Sequence, residues 1–312
     1  MSKKITAIIL ALAALLSLAA CGSSSAPEQS AAPAQENTAQ ENAAQEMRIV
    51  TDTWGRKVEI PYTVESIICL GSGAPRMAAY LDVVDMMVGV EDHDKEAYNI
   101  LRDYNPVYRD EIKELPAVGS GGGSGANNGY AEEIITVAPD VILAGFSAEA
   151  ADELYGQTGI PVVCVRYLSR NFVDESFYDA MRVFAEVVGA QERCESVLSF
   201  IDECKQDLND RTKDIPDSDK QKVYTGAVTF SGRHGFGGTY AHFGPFMGVN
   251  ALNVADEAAD QNYYEVDLEK VIEWDPDIIF LDPGNMDLVN DEYNTNPGFF
   301  DALRAVKEGQ VY

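Results

Sequence analysis

One stretch of sequence occurs twice in this chain, and the repetition limits the fold more than any other feature. Glu132-Glu-Ile-Ile-Thr-Val-Ala-Pro139-Asp140-Val-Ile-Leu143 reappears as Glu269-Lys-Val-Ile-Glu-Trp-Asp-Pro276-Asp277-Ile-Ile-Phe280, 137 positions later. The shared pattern is Glu-x-[Ile/Val]-Ile-x-x-x-Pro-Asp-[Val/Ile]-Ile-apolar. In each copy a short amphipathic helix stops at Pro-Asp, since proline cannot extend a helix, and a buried apolar strand follows. The expectation is α/β, with two lobes built alike.

Between the copies lies a long apolar stripe. Phe172, Phe177, Met181, Phe184, Val187 and Val188, then Cys194, Val197, Leu198, Ile201, Cys204 and Leu208, follow the three-and-four spacing of one helical face. This predicts one long helix from Asn171 to about Thr212, kinked at Gly189. At ~1.5 Å per residue it would reach ~60 Å, enough to carry a lobe at each end. The chain then divides into a first lobe over 47–170, the helix over 171–212 and a second lobe over 213–312.

The first 46 residues belong to neither lobe. Lys3 and Lys4, the apolar run Ile5 to Leu18, and Leu18-Ala19-Ala20-Cys21 read as a secretory signal over 1–20, because the run is too short to span a membrane. Residues 21–46, rich in Ser, Ala, Gln and Glu, read as a disordered tether that would hold the body ~25 to 30 Å from its anchor. Without Lys3 and Lys4, the 23 basic residues become 21 against 51 acidic, a net charge of −30. Such a charge excludes nucleic acid as a partner and opposes adhesion to anionic lipid. The remaining cysteines, Cys69, Cys164, Cys194 and Cys204, show neither metal-ligand spacing nor a disulfide framework.

Ligands of open α/β sheets sit beyond the carboxyl ends of the strands. In the first lobe those loops are Gly71 to Arg76, Gly145 to Ser147, and Arg166-Tyr167, with a hairpin turning at Trp54-Gly55-Arg56 and a glycine-rich loop from Gly119 to Tyr130 that is expected to line a cleft. In the second lobe the strand ending at Phe230 leads into Ser231-Gly-Arg233-His234, with Tyr240 and His242 close behind. Arg233, His234, Arg76, Tyr240, Arg166 and Trp54 are the expected ligand contacts: arginines for an anionic group, aromatic rings for stacking. No Gly-x-Ser-x-Gly, no His-Glu-x-x-His and no cysteine nucleophile beside a histidine is present, so an enzyme is the remote alternative. A structural or adhesive surface protein is a third class.

Several of these features together resemble one family. Cys21 in its lipobox, Thr51-Asp52-x-x-Gly55-Arg56, the Gly71-Ser-Gly-Ala-Pro-Arg76 loop, the paired Glu-to-Pro-Asp units and the long helix are similar to the solute-binding lipoproteins of ABC importers for ferric siderophores, haem and corrinoids. The resemblance implies two Rossmann-like lobes joined by a long single helix, as in class III periplasmic binding proteins. It further implies lipidation at Cys21, an extracytoplasmic monomer on a lipid anchor, and docking of Glu132 and Glu269 onto a permease that works with an ATPase. It implies no cofactor; the carried ligand would be an iron chelate, with haem or a corrinoid ligated by His234 or His242 as the alternative, and no resident metal is identified. Family members usually continue beyond the point matching Gln310-Val-Tyr312, which raises the expectation of a shortened second lobe.

Overall fold

The computed structural model describes residues 46–71, 73–96, 103–121, 129–167, 174–258 and 262–312. The signal, Cys21 and the tether lie outside these residues, as do Ser72, most of the glycine-rich loop and the expected helix start at Asn171 to Val173. No helix among the described residues is long and apolar enough to cross a membrane.

Lobe 1 opens with an antiparallel hairpin, β1 (Met47–Thr51) and β2 (Lys57–Pro61). The chain then alternates through β3 (Ile67–Leu70), α1 (Ala74–Tyr80), β4 (Met87–Glu91), α2 (Asp92–Glu96), α3 (Asn105–Glu114), β5 (Ala117–Gly119), α4 (Ala131–Val137), β6 (Val141–Ala144), α5 (Ala148–Thr158) and β7 (Val162–Cys164). The strands pair in parallel in the order β5-β4-β3-β6-β7, the doubly wound arrangement in which the first strand lies centrally. Side chains alternate between two cores as the pleat requires. Ile67, Cys69, Val141, Leu143 and Val163 join one, and Ile68, Leu70, Ile142, Ala144, Val162 and Cys164 join the other, against Ile134 of α4 and Leu154 of α5. Order reverses between β3 and β6, and there the loops touch: Gly145 N–H donates to Leu70 O at 2.9 Å.

The stretch expected as one kinked helix is two helices, α6 (Glu175–Val188) and α7 (Gln191–Thr212). Gly189 adopts φ 76°, a left-handed C-cap that ends α6 rather than bending it. The chain then turns back, so that Arg182 pairs with Glu195 at 2.9 Å and Tyr178 reaches Asp202. The apolar periodicity was continuous because both helices bury the stripe from Phe177 to Ile201 in the same core, although Cys204 further along is exposed; it records the buried face and not the direction of the axis. Phe177, Met181 and Phe184 of α6 are buried there with Cys194 and Leu198 of α7. Arg193 Nε donates to Tyr80 O at 2.9 Å, whereas the far end of α7 meets Asn250, whose Nδ2 donates to Asn209 Oδ1 at 3.2 Å and Thr212 Oγ1 at 2.9 Å. The single helix joining the lobes is therefore α7, ~33 Å long by its 22 residues.

Lobe 2 runs β8 (Lys222–Gly226), β9 (Gly238–Tyr240), α8 (Gly244–Gly248), β10 (Leu252–Asn253), β11 (Tyr263–Glu265), α9 (Leu268–Trp274), β12 (Ile278–Leu281), α10 (Met286–Thr295), α11 (Pro297–Ala302) and α12 (Arg304–Lys307). Its sheet is β10-β8-β12, parallel, with Val311 bridging in parallel to Ile279 beyond β12. The first strand is again central, and α9 with β12 stands where α4 with β6 stands in lobe 1. Both helices end on a non-glycine residue in the left-handed region, Ala138 (φ 46°) and Asp275 (φ 45°), immediately before the proline. The antiparallel pair β9 and β11 lies just before α9, where lobe 1 has a single antiparallel bridge, Gly119 to Gly129, just before α4.

Candidate ligand-binding site

The Thr-Asp-x-x-Gly-Arg segment is a device for presenting Trp54. The buried Asp52 carboxylate accepts from Trp54 N–H at 3.0 Å, Arg56 N–H at 2.9 Å and Cys164 N–H at 3.2 Å, and pairs with the Arg56 guanidinium at 3.1 Å. Gly55, at φ 76°, closes the turn. One carboxylate thus satisfies the hairpin's orphan donors and fixes the turn to the carboxyl end of β7. Thr53 strengthens the attachment, donating from Oγ1 to Cys164 O at 3.0 Å and accepting from Arg166 N–H at 3.1 Å. The Trp54 indole N–H donates to Phe146 O at 2.9 Å, and the Arg166 guanidinium lies 5.0 Å from the ring centroid, in cation–π range. Arg166 is exposed and has no ion-pair partner among the described residues. Together they line an open groove of about 390 Å³ whose other wall is α6, through Asp179, Arg182, Val183 and Glu186.

Arg76 stands at the start of α1 and is already engaged. It pairs with Asp103 at 3.2 Å, and the Tyr80 hydroxyl donates to the same carboxylate. Burial works to lower the Arg76 pKa, but Tyr167 and Asp103 outweigh it and the net shift is upward. Gly73 precedes this helix at φ 92°, and a Cβ there would fall 2.5 Å from the Tyr167 hydroxyl. Tyr167 packs edge-on against Phe177, ring centroids 5.2 Å apart.

The other three expected contacts belong to lobe 2, and none of them lines the groove beside Trp54. Arg233 bonds Asn285 Oδ1 at 2.8 Å and Gly284 O at 3.0 Å and pairs with Asp287. Its hydrogen bond to Asp287 holds that carboxyl below the usual aspartate range. His234 stacks on Phe230 with centroids 3.8 Å apart; Nδ1 meets Glu265 Oε2 at 2.7 Å and Nε2 meets Phe230 O at 2.8 Å. Both ring nitrogens are engaged, so axial ligation by His234 would require one of these bonds to break. The Tyr240 hydroxyl donates to Thr229 O at 3.0 Å, and its ring packs against Phe230, Phe243 and Tyr263. His242 sits at φ 53°, 3.7 Å from the Asp256 carboxylate. Among the described residues no group of three or more His, Cys, Asp or Glu side chains is placed to hold a metal ion.

Two buried polar residues organise the loops at the points where strand order reverses, and the sequence did not single out either. In lobe 1, Glu91 at the end of β4 accepts from Gly71 N–H at 2.8 Å. In lobe 2, the Asn285 amide donates to Ala227 O at 2.6 Å and Thr229 Oγ1 at 2.9 Å while accepting from Arg233. The available signal was a carboxylate directly after an apolar strand in one case, and an asparagine in the loop that follows the repeated strand in the other.

Comparison with known proteins accounts for this architecture. The curated Fe(3+)-citrate-binding protein YfmC of Bacillus subtilis (strain 168) is 26% identical over 181 residues, 58% of this chain but only 55% of that protein. The molybdate-binding protein MolA of Haemophilus influenzae is 23% identical over 289 residues, covering 85% of this chain and 76% of MolA. Its molybdate-bound structure superposes with a TM-score of 0.62 at 22% identity, over 85% of this chain and 82% of that one. A periplasmic solute binding protein of Veillonella parvula DSM 2008 gives 0.64 at 18% identity, over 86% and 78%. These likenesses show the two-lobed fold shared with class III binding proteins. The family description "periplasmic binding protein" matches residues 67–312, and the chain belongs to that family.

Proposed function

We propose that this chain is the extracytoplasmic receptor of an ABC importer, which captures a small metal chelate, a ferric siderophore foremost, and hands it to a membrane permease driven by an ATPase. Binding and release are its whole chemistry; no bond is made or broken. The observation that carries the reading is the pairing of Arg166 with Trp54 in an open groove at the carboxyl end of a doubly wound sheet. A cation with no ion-pair partner among the described residues, set over an indole face, offers a chelate both charge and a stacking surface. YfmC is a ferric citrate-binding protein by name, which supports an iron chelate as cargo.

Arg76, Arg233, His234 and Tyr240 complete the ligand set in this reading, with Arg76 and Arg233 exchanging a carboxylate partner for the ligand. Glu132 and Glu269, exposed near the starts of α4 and α9, dock on the permease. Cys21 is lipidated and the tether holds a monomeric body close to the membrane. Mass spectrometry of small molecules retained by the purified protein tests the reading, followed by titration with ferric siderophores, ferric citrate, haem, a corrinoid and molybdate. Preferential binding of haem or a corrinoid would replace the siderophore assignment, and retention of none of these would overturn the importer reading.

A further inference from the structure

The helices α4 and α9 carry an exposed feature that the two glutamates alone do not explain. In each seven-residue helix the third position of the repeat, Ile134 or Val271, is fully buried and ties the helix to its core. The next residue is again apolar but points outward: Ile135 is 50% exposed and Ile272 is 41% exposed. Residues three apart share a helical face, so Ile135 lies beside Glu132, and Ile272 beside Glu269. One exposed isoleucine is ordinary. Here it recurs at the same position of two lobes, while neighbouring positions diverge even in charge, Glu133 against Lys270 and Thr136 against Glu273. Neither Glu132 nor Glu269 has an ion-pair partner among the described residues.

We propose that Glu132 with Ile135 and Glu269 with Ile272 form two halves of one docking surface, each fitting a partner site that sets a cation beside an apolar depression. The partner is accordingly a membrane protein of two like halves. This rests on the importer reading and adds to it the apolar part of the contact. Solvated carboxylates alone gain little from a cation at physiological salt. Burying the exposed half of each isoleucine adds roughly three- to tenfold in affinity that salt does not screen. The carboxylates select and orient; the isoleucines hold.

Photo-crosslinking with p-benzoylphenylalanine in the full chain, within the cells that produce it, tests this. The photoreactive residue is placed singly at Glu132, Ile135, Glu269 or Ile272, with exposed Phe200 on α7 as an off-surface control. Adducts from all four positions with one multispanning membrane protein, and none from Phe200, are expected. Adducts from Glu132 and Glu269 but not from both isoleucine positions overturn the inference and leave importer docking intact; adducts from none of the four overturn both. With the crosslinker at Glu133, I135S/I272S is expected to cut adduct yield about tenfold while thermal unfolding is unchanged, and an undiminished yield also overturns the inference.

Discussion

Asp140 and Asp277 make the same contact in the two lobes. Asp140 Oδ2 accepts from Glu65 N–H at 2.7 Å and Ser66 N–H at 2.9 Å, just before β3, and its own N–H returns to Ser66 O at 3.1 Å. Asp277 Oδ2 accepts from Lys222 N–H at 2.7 Å, at the start of β8, and its N–H returns to Lys222 O at 2.8 Å. Each aspartate fixes where the central strand of its sheet begins relative to the repeated strand. The Pro-Asp dipeptide therefore stops a helix and sets a strand's register in successive residues. Replacing either aspartate by alanine is expected to cost about 1 to 3 kcal/mol, since D140A orphans two backbone donors and D277A orphans Lys222 N–H and releases the Arg304 guanidinium, which lies 2.5 Å from Asp277 Oδ1. Urea unfolding of D140A and D277A checks the size.

Only Trp54 is placed to report a ligand at the groove. Trp274 is buried, with its indole donating to Glu257. W54F is expected to abolish a ligand-induced fluorescence change and W274F to preserve it. If the signal survives W54F, the groove beside Arg166 is not where the chelate lies.

Gly238 accommodates His234. A Cβ at this position would lie 2.4 Å from the histidine Cβ and 3.3 Å from Val228 O. G238A should push the ring off Phe230 and cost about 1 to 3 kcal/mol as overpacking. Histidine ring resonances in G238A and wild type, compared by NMR, would show the displacement; unchanged shifts would mean that the loop relaxes instead.

The Arg233 pair should outlast ordinary carboxylates in acid. Because the folded pKa of Asp287 is depressed by Arg233, the pairing is present above the unfolded value and is lost only as pH falls through the lower folded one. A carboxyl titration of Asp287 by carbon NMR is expected to have its midpoint below that of a free aspartate, and R233A should return it to the usual range.

Thiol chemistry should single out Cys204. It is exposed on α7, whereas Cys69, Cys164 and Cys194 are buried, and burial raises the Cys164 pKa to about 12. Iodoacetamide at pH 8 should label Cys204 alone of these four in the folded body. Labelling of Cys164 below pH 10 would mean that the Asp52 and Arg56 packing opens.

The repeat was legible because it rests on local chemistry: a proline that stops a helix and an apolar run that needs burial on both faces. The end of the first lobe 2 strand was not: it was expected at Phe230, but β8 stops at Gly226, and Ala227 follows at φ 58°. Asp52 was visible only as part of a resemblance, and its carboxylate's hold on the turn appears in the structure. The reversal at Gly189 was not, since a continuous stripe of apolar residues describes two helices packed on one core as well as it describes a single rod. The exposed arginines were visible as residue types, but their engagement was not. Asp103 lies 27 positions from Arg76 and Asp287 lies 54 from Arg233, so only tertiary structure brings the acids in. Glu91 and Asn285 escaped notice for a related reason: their value lies in backbone groups from distant loops.

The turn at Gly189 leaves α7 as the one helix that joins the two halves. Its first part is set into the lobe 1 core as far as Ile201, Asp202 and Lys205 meet Tyr178 of α6, and its last turn is held by Asn250. Residues 206–208, less than one turn, separate these clamps, and a hydrogen-bonded helix held so closely on both sides has little length over which to curve. A receptor strung on such a strut discriminates among solutes by the shape it holds at rest, and amide exchange at residues 206–208 is where occupancy would be felt as a change in stiffness.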